Sequence, residues 1–406
     1  MELFQKICKK NRVIAAIAAW QKTIWYPVAY AVFGVVSASF GMAAYIPIFY
    51  LFMLSVVFAA LFCDDTKVLL APLLLTCFTV GNDGLVSYGQ AITDFRLIFE
   101  PAGLINICIA GAVMGAAVVY RLLADGTLRT AFTKRGLLTP GLLLLAAAML
   151  LNGAFSPKWE PLDLALGAFQ ALGLVFLYSI ALAVSDRSEN MVGYILRLCL
   201  ICGLMLCAEE LLLMGKLAAE GKLLELDEAG NWTGGFVRDY QIVGWVVSTL
   251  AAGVLSFCIP AAMALAYSSR RGIWCYLAAA AMYAVIILLN ARTAMLFGGI
   301  VFLACMVLCC FGPNRRQNRI LFAVLAAAAA VGVAAVWAAM GTQDFFSFVS
   351  NMLRFDQGDN SRFERWADGW RDFLSAPIFG AGFMDGGASD PSVYSNMYHN
   401  IFVQML

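Results

Sequence analysis

Long apolar runs broken by short polar segments set the pattern of this chain. They fall near 24–41, 46–63, 68–82, 97–119, 137–152, 162–184, 191–215, 241–267, 273–289, 294–312 and 320–340. The runs are continuous and do not alternate between apolar and polar positions, so they predict helices and not strands. About 18 or more such residues can cross the hydrocarbon core of a bilayer as a helix, which satisfies its own backbone groups there. A twelfth run begins near Tyr398 and reaches Leu406 after about nine residues, where a span needs about 20, so the chain is expected to be truncated. The expected fold is all-α: a polytopic membrane protein of about 12 transmembrane helices, the last cut short, forming a single integral membrane domain over 1–406.

Composition agrees with that pattern and excludes a soluble protein. Apolar residues make up 62% of the 406 and charged residues 13%, far from the balance of soluble domains. The net charge of +1 gives no footing for nucleic acid. Where the charges lie says more than their sum. With the N-terminus in the cytoplasm, the inner segments hold Lys22, Lys67, Arg121, Arg129, Lys134, Arg135, Arg187, Arg270, Arg271, Arg315, Arg316 and Arg319, together with Lys6, Lys9, Lys10 and Arg12. The positive-inside rule therefore predicts an N-in topology, with 82–96, 153–161, 216–240, 290–293 and 341–397 on the extracytoplasmic side. No A-x-A-like site follows the first run, so it is expected to be an uncleaved anchor.

Twelve cysteines raise the question of disulfides or metal. Most lie within apolar runs, as Cys108, Cys258, Cys305, Cys309 and Cys310 do, and are expected to be small buried hydrophobes. Cys199 and Cys202 form a C-x-x-C in mid-run with no second ligand pair, so no metal site and no cofactor is expected.

Candidate chemistry gathers in the extracytoplasmic segments. The longest, 341–397, carries Arg354, Arg362, Arg365 and Arg371 and no lysine. Arginine's planar fork binds phosphate oxygens in pairs, so the set points to anion recognition, unless these arginines pair with Asp356, Asp359, Glu364, Asp368 and Asp372 of the same loop. Ser361 to Glu364 reads as a capping box opening a short helix that ends by Pro377. Phe363, Trp366, Trp370 and Phe373 fall on one face, the pattern of a helix lying in the membrane interface.

His399, the sole histidine, stands at the mouth of the last run and has the pKa range of a proton-transfer group, or is an interfacial polar residue at a helix end. Asn290-Ala291-Arg292-Thr293 lies between two long runs with almost no loop. Its arginine is costly at such depth unless it has a partner: a lipid-linked phosphate, or Glu209 or Glu210. Glu100, four residues after Arg96 and followed by Pro101, reads as a local helix-entry pair.

Leu288-Leu289-Asn290-Ala291-Arg292-Thr293, then Arg362 with Trp366, then Pro377-Ile378-Phe379-Gly380-Ala381-Gly382, then His399-Asn400, resembles the signature order of the O-antigen ligase and Wzy-type polymerase family. The resemblance covers 288–406 by motif and the rest by topology. It implies metal-independent transfer of a glycan from undecaprenyl pyrophosphate to an acceptor hydroxyl, at the outer face of a bacterial inner or plasma membrane, in cell-surface polysaccharide biosynthesis. It also implies that Arg292 holds the pyrophosphate, that Arg362 is the family's loop arginine and that His399 is the essential histidine; Arg365 and Trp366, close by in the same loop, are further candidates for binding the donor. Two positions depart from the pattern. Ala291 stands where the family often has serine, and Gly235-Phe236-Val237-Arg238-Asp239-Tyr240 stands where it has an arginine before G-x-F-x-N-P, with Arg238 the nearest equivalent. A lipid-linked glycan transporter or flippase is the other class open to such a chain. Transporters, however, place polar and helix-breaking residues at the midplane of repeat-related spans, and here those residues collect at the ends of the runs.

Overall fold

The computed structural model describes residues 4, 6–7, 10–39, 46–79, 101–155, 161–226, 232–236, 242–243, 246–268, 272–342, 345–346, 349–350, 366–367, 370–371, 373–374 and 377. Each of the eleven full-length apolar runs overlaps a helix. In chain order the helices are α1 (Arg12–Gln21), α2 (Trp25–Ser39), α3 (Ile46–Phe62), α4 (Leu70–Thr79), α5 (Pro101–Ala124), α6 (Thr127–Thr133), α7 (Thr139–Phe155), α8 (Pro161–Arg187), α9 (Met191–Ala219), α10 (Ser248–Ser268), α11 (Ile273–Leu288), α12 (Arg292–Cys309) and α13 (Arg315–Met340). Among the described residues, Met191–Ala219, Thr249–Ser268, Arg292–Cys309 and Arg315–Ala338 are long and apolar enough to cross a membrane. Trp25–Ser37, Tyr50–Phe62, Thr139–Leu151 and Ile273–Leu288 are shorter apolar helices.

Helix ends follow local chemistry. Asn11 caps α1 by accepting from the backbone N–H groups of Val13 and Ile14 at 3.0 and 3.3 Å. The expected run 97–119 is described from Pro101 onward, and its helix continues past the expected end to Ala124.

The all-α expectation stands, with two short ribbons added to the helices. Between α9 and α10 the chain forms two short antiparallel ribbons, β1 (Leu224–Leu226) with β2 (Trp232–Phe236), and β3 (Ile242–Val243) with β4 (Val246–Val247). The run expected at 241–267 therefore turns helical only at Ser248. Ile242, Val243, Val246 and Val247 are β-branched, and such side chains lose rotamer freedom in a helix and pack well on a pleated ribbon.

Two compact units divide the chain. The first comprises Met1–Ala124 and Ser188–Arg354. Its core is built by α9, α10 and α11, with α12 against α10 and α11. At its centre a Cβ on Gly203 would lie 2.5 Å from the Met282 methyl and 2.9 Å from Cys258 Cβ, so α9 reaches its neighbours only because that position has no side chain. At one end of this unit, basic residues meet the loop after α3. Arg121 is almost fully buried and donates from Nε to Thr66 Oγ1 at 3.2 Å, and from its other nitrogens to the carbonyls of Cys63 and Asp64. Lys22 pairs with Asp64, and Lys67 lies 2.8 Å from Asp65 and donates to the Glu189 carbonyl at 3.0 Å.

The second unit comprises Asp125–Arg187 and Phe355–Leu406. Within it α7 packs along α8, and α6 against α8.

The ten cysteines whose side chains are described are free. Cys258 and Cys309 are buried as expected, but Cys108 is exposed and Cys305 and Cys310 are only partly covered. An apolar side chain can face hydrocarbon as readily as protein, so an apolar run does not tell which cysteines are buried.

Candidate functional site

The described part of the site is the hairpin joining α11 to α12. α11 ends at Leu288. Asn290 then takes a left-handed conformation, φ 51°, and α12 begins at Arg292. Asparagine is among the few L-residues that enter this region readily, and a left-handed residue just past a helix end reverses the chain in few residues. The backbone N–H of Leu289 still bonds to the Val285 carbonyl at 2.9 Å and that of Asn290 to Ile287 at 3.0 Å, while Met295 bonds to the Ala291 carbonyl at 2.8 Å. The turn is thus as short as the sequence suggested.

Two consequences follow for Arg292. It occupies the first position of an 18-residue helix, half-buried, where the helix presents its positive end. No side chain caps that first turn, because Ala291 has no oxygen to offer. An arginine fork beside backbone amides at a helix start is suited to a phosphate group.

The ion-pair alternative for Arg292 is not what the structure shows. None of the carboxyl oxygens of Glu209 and Glu210 has a hydrogen-bond partner, although the two residues are 4% and 0% exposed. Glu210 lies on the stripe Gly203, Cys207, Glu210, Met214 of α9, and Gly203 is the position that meets Met282 of α11. Counting about 1.5 Å per residue from that contact, Glu210 lies about 10 Å further along α9 and Asn290 about 12 Å further along α11. α9 runs into the β-ribbons, α10 runs out of them, and α11 returns, so these two distances are measured toward the same end. Asn290 is 2% exposed, and its amide oxygen and nitrogen also lack hydrogen-bond partners. Buried polar groups left this way cost free energy, and they concentrate at functional sites.

Other expected site residues are less fully placed. Trp366 and Phe373 are helical and half-buried, whereas Trp370, whose ring lies 5.2 Å from that of Phe373, is exposed. Arg238, Arg362, Arg365 and His399 lie outside the described residues, as do the Ser361–Glu364 box, Phe363, Arg96 and Glu100. Among the described residues, Asn290, Ala291 and Arg292 come together, with Glu210 at a similar level. Sequence reading missed the structural part played by Asn290. A lone asparagine between two apolar runs, with no glycine or proline nearby, was the available signal.

Residues 242–406 match the family model described as O-Antigen ligase, from β3 through α13 and on to the end of the chain. No curated protein and no solved structure matches the chain.

Proposed function

We propose that this multi-pass membrane protein, whose residues 242–406 match the O-antigen ligase family model, transfers a glycan from undecaprenyl pyrophosphate to an acceptor hydroxyl. The observation that carries the reading is Arg292 at the uncapped start of α12, within the matched segment. In this reading the Arg292 fork and the first-turn amides hold the donor's pyrophosphate, and Arg362, Arg365 and Arg238 add positive charge, with Trp366 against the glycan or lipid. The acceptor oxygen attacks the anomeric carbon, and the bond from that carbon to the phosphate oxygen breaks. His399 takes the acceptor's proton as general base. Charge grows on the leaving phosphate oxygens in the transition state, so cations fixed beside them lower the barrier. No metal is required in this scheme.

The reading includes a twelve-span, N-in topology in a bacterial inner or plasma membrane, with the hairpin at Asn290 on the extracytoplasmic side. Support comes from the gathering of Lys22, Lys67 and Arg121 at one end of the first unit, as expected of a cytoplasmic face. The direct test supplies the purified full-length protein with a lipid-pyrophosphate-linked glycan and an acceptor, and follows release of the lipid carrier. Release that depends on both acceptor and Arg292 supports the proposal. Translocation of the intact donor across a sealed vesicle, without transfer, would replace it with the transporter reading.

A further inference from the structure

Within the second unit, α7 and α8, with the end of α6, line an open cavity of about 620 Å³ that takes no part in the proposed transfer. Its walls are apolar along the helices, at Leu143, Gly173, Val175 and Phe176, and its mouth is basic, at Lys134 and Arg135. The mouth is rigidly built. The backbone N–H of Gly136 donates to Thr139 Oγ1 at 2.8 Å, and that of Leu138 to Tyr178 Oη at 3.3 Å. A Cβ on Gly136 would lie 2.4 Å from Tyr178 Oη, so the segment bearing the two cations lies flush on α8.

Among the described residues, the charges at the mouth do not balance. Lys134 is paired with Asp186, whereas Arg135 is exposed and makes no ion pair among the described residues. Large apolar side chains stand bare beside it: Phe132 is 76% exposed and Leu137 95%. Cations interleaved with bare apolar side chains fit the boundary between headgroups and acyl chains, where arginine and lysine extend toward phosphate.

From these features we propose that the α7–α8 cavity seats an anionic phospholipid, its phosphate on Arg135 and an acyl chain along Leu143, Gly173 and Phe176. The volume lies in the ordinary range for ligand sites, and basic pockets between membrane helices recognise acidic headgroups. A cation unpaired among the described residues favours this occupant over an apolar helix from a partner protein, which would offer Arg135 no opposite charge. The proposal is independent of the catalytic reading, since none of its residues serves the transfer.

The test follows thermal unfolding of the purified full chain in neutral detergent while phosphatidylglycerol, phosphatidylcholine or inorganic phosphate is added. Phosphatidylglycerol should stabilise at lower concentration than phosphatidylcholine, and phosphate alone should do little. Arg135→Gln should raise the phosphatidylglycerol concentration needed about fivefold, and Arg135→Lys should restore most of that loss. Gly173→Phe, at a position with nothing within 4 Å of an added Cβ, should fill the cavity and abolish the difference between the two lipids while eluting as the parent does. Arg135 is on the surface, so its variants report even if the filled-cavity variant fails to fold. Equal responses to both lipids, an unmoved midpoint in Arg135→Gln, unchanged binding in a folded Gly173→Phe, or a full response to phosphate alone would each overturn the proposal.

Discussion

The hydroxyl of Tyr283 donates to the backbone carbonyl of Met295 at 3.1 Å, tying the end of α11 to the first turn of α12. The Tyr283 ring also stacks on Phe302, with centroids 5.3 Å apart and planes at 21°, so two points of α12 hold this α11 side chain in the hairpin that presents Arg292. A Cβ on Gly299 would fall 2.4 Å from the Tyr283 hydroxyl. Gly299→Leu should therefore push the tyrosine off its carbonyl and destabilise the protein by about 1–3 kcal/mol. Tyr283→Phe, which keeps the ring, should cost only about 0.5–1.5 kcal/mol. Unfolding in detergent gives the ranking, and a Gly299→Leu protein as stable as the parent would show that the brace carries no weight.

Asn290 is required by the turn, by its amide, or by both. Its φ of 51° suits glycine and strains alanine by about 1–2 kcal/mol. Asn290→Gly should fold like the parent, and Asn290→Ala should unfold at lower temperature. If Asn290→Gly also transfers glycan at the parent rate, the asparagine is conformational only. A folded but inactive Asn290→Gly would place its amide in contact with substrate.

Arg292→Lys retains the charge and loses the paired hydrogen bonds of the fork. Activity at limiting donor should drop well below what membrane abundance explains, with a smaller deficit at saturating donor. Normal kinetics in the lysine variant would mean that a point charge suffices and that no bidentate clamp exists.

His399→Ala should reduce transfer by about 10²–10⁴-fold, the usual contribution of a general acid or base. In cells this would appear on a gel of extracted glycans as loss of product and accumulation of lipid-linked precursor, at matched protein level. Undiminished product would return His399 to the rank of a helix-end residue and leave the arginines as the catalytic candidates.

Topology is open to direct labelling. In a cysteine-free background, a cysteine at position 365 should react with an impermeant reagent from outside, and one at position 316 only after permeabilisation. The reverse pattern would put Arg292 on the cytoplasmic side and remove the basis for a lipid-linked donor there.

The sequence by itself determined where the helices lie, because an apolar run in hydrocarbon has one economical backbone solution and its length is set by the bilayer. α9 and α11 fall within a few residues of their runs for that reason, and the order of the arginine, glycine and histidine motifs was enough to indicate the family that residues 242–406 match. Tertiary structure decided what a one-dimensional apolar pattern leaves open, namely which face of each helix meets protein and which meets lipid. Both faces are apolar, so Cys108 and Cys258 look alike in sequence and differ in burial. The same holds for charge: Arg121 read as a loop cation and proved to be a buried clasp on the Cys63 and Asp64 carbonyls, and Arg292 read as a possible partner for Glu209 or Glu210 and proved not to be hydrogen-bonded to either. Pairing depends on distances across helices, and packing of small residues such as Gly203 fixes those distances only once the chain has folded.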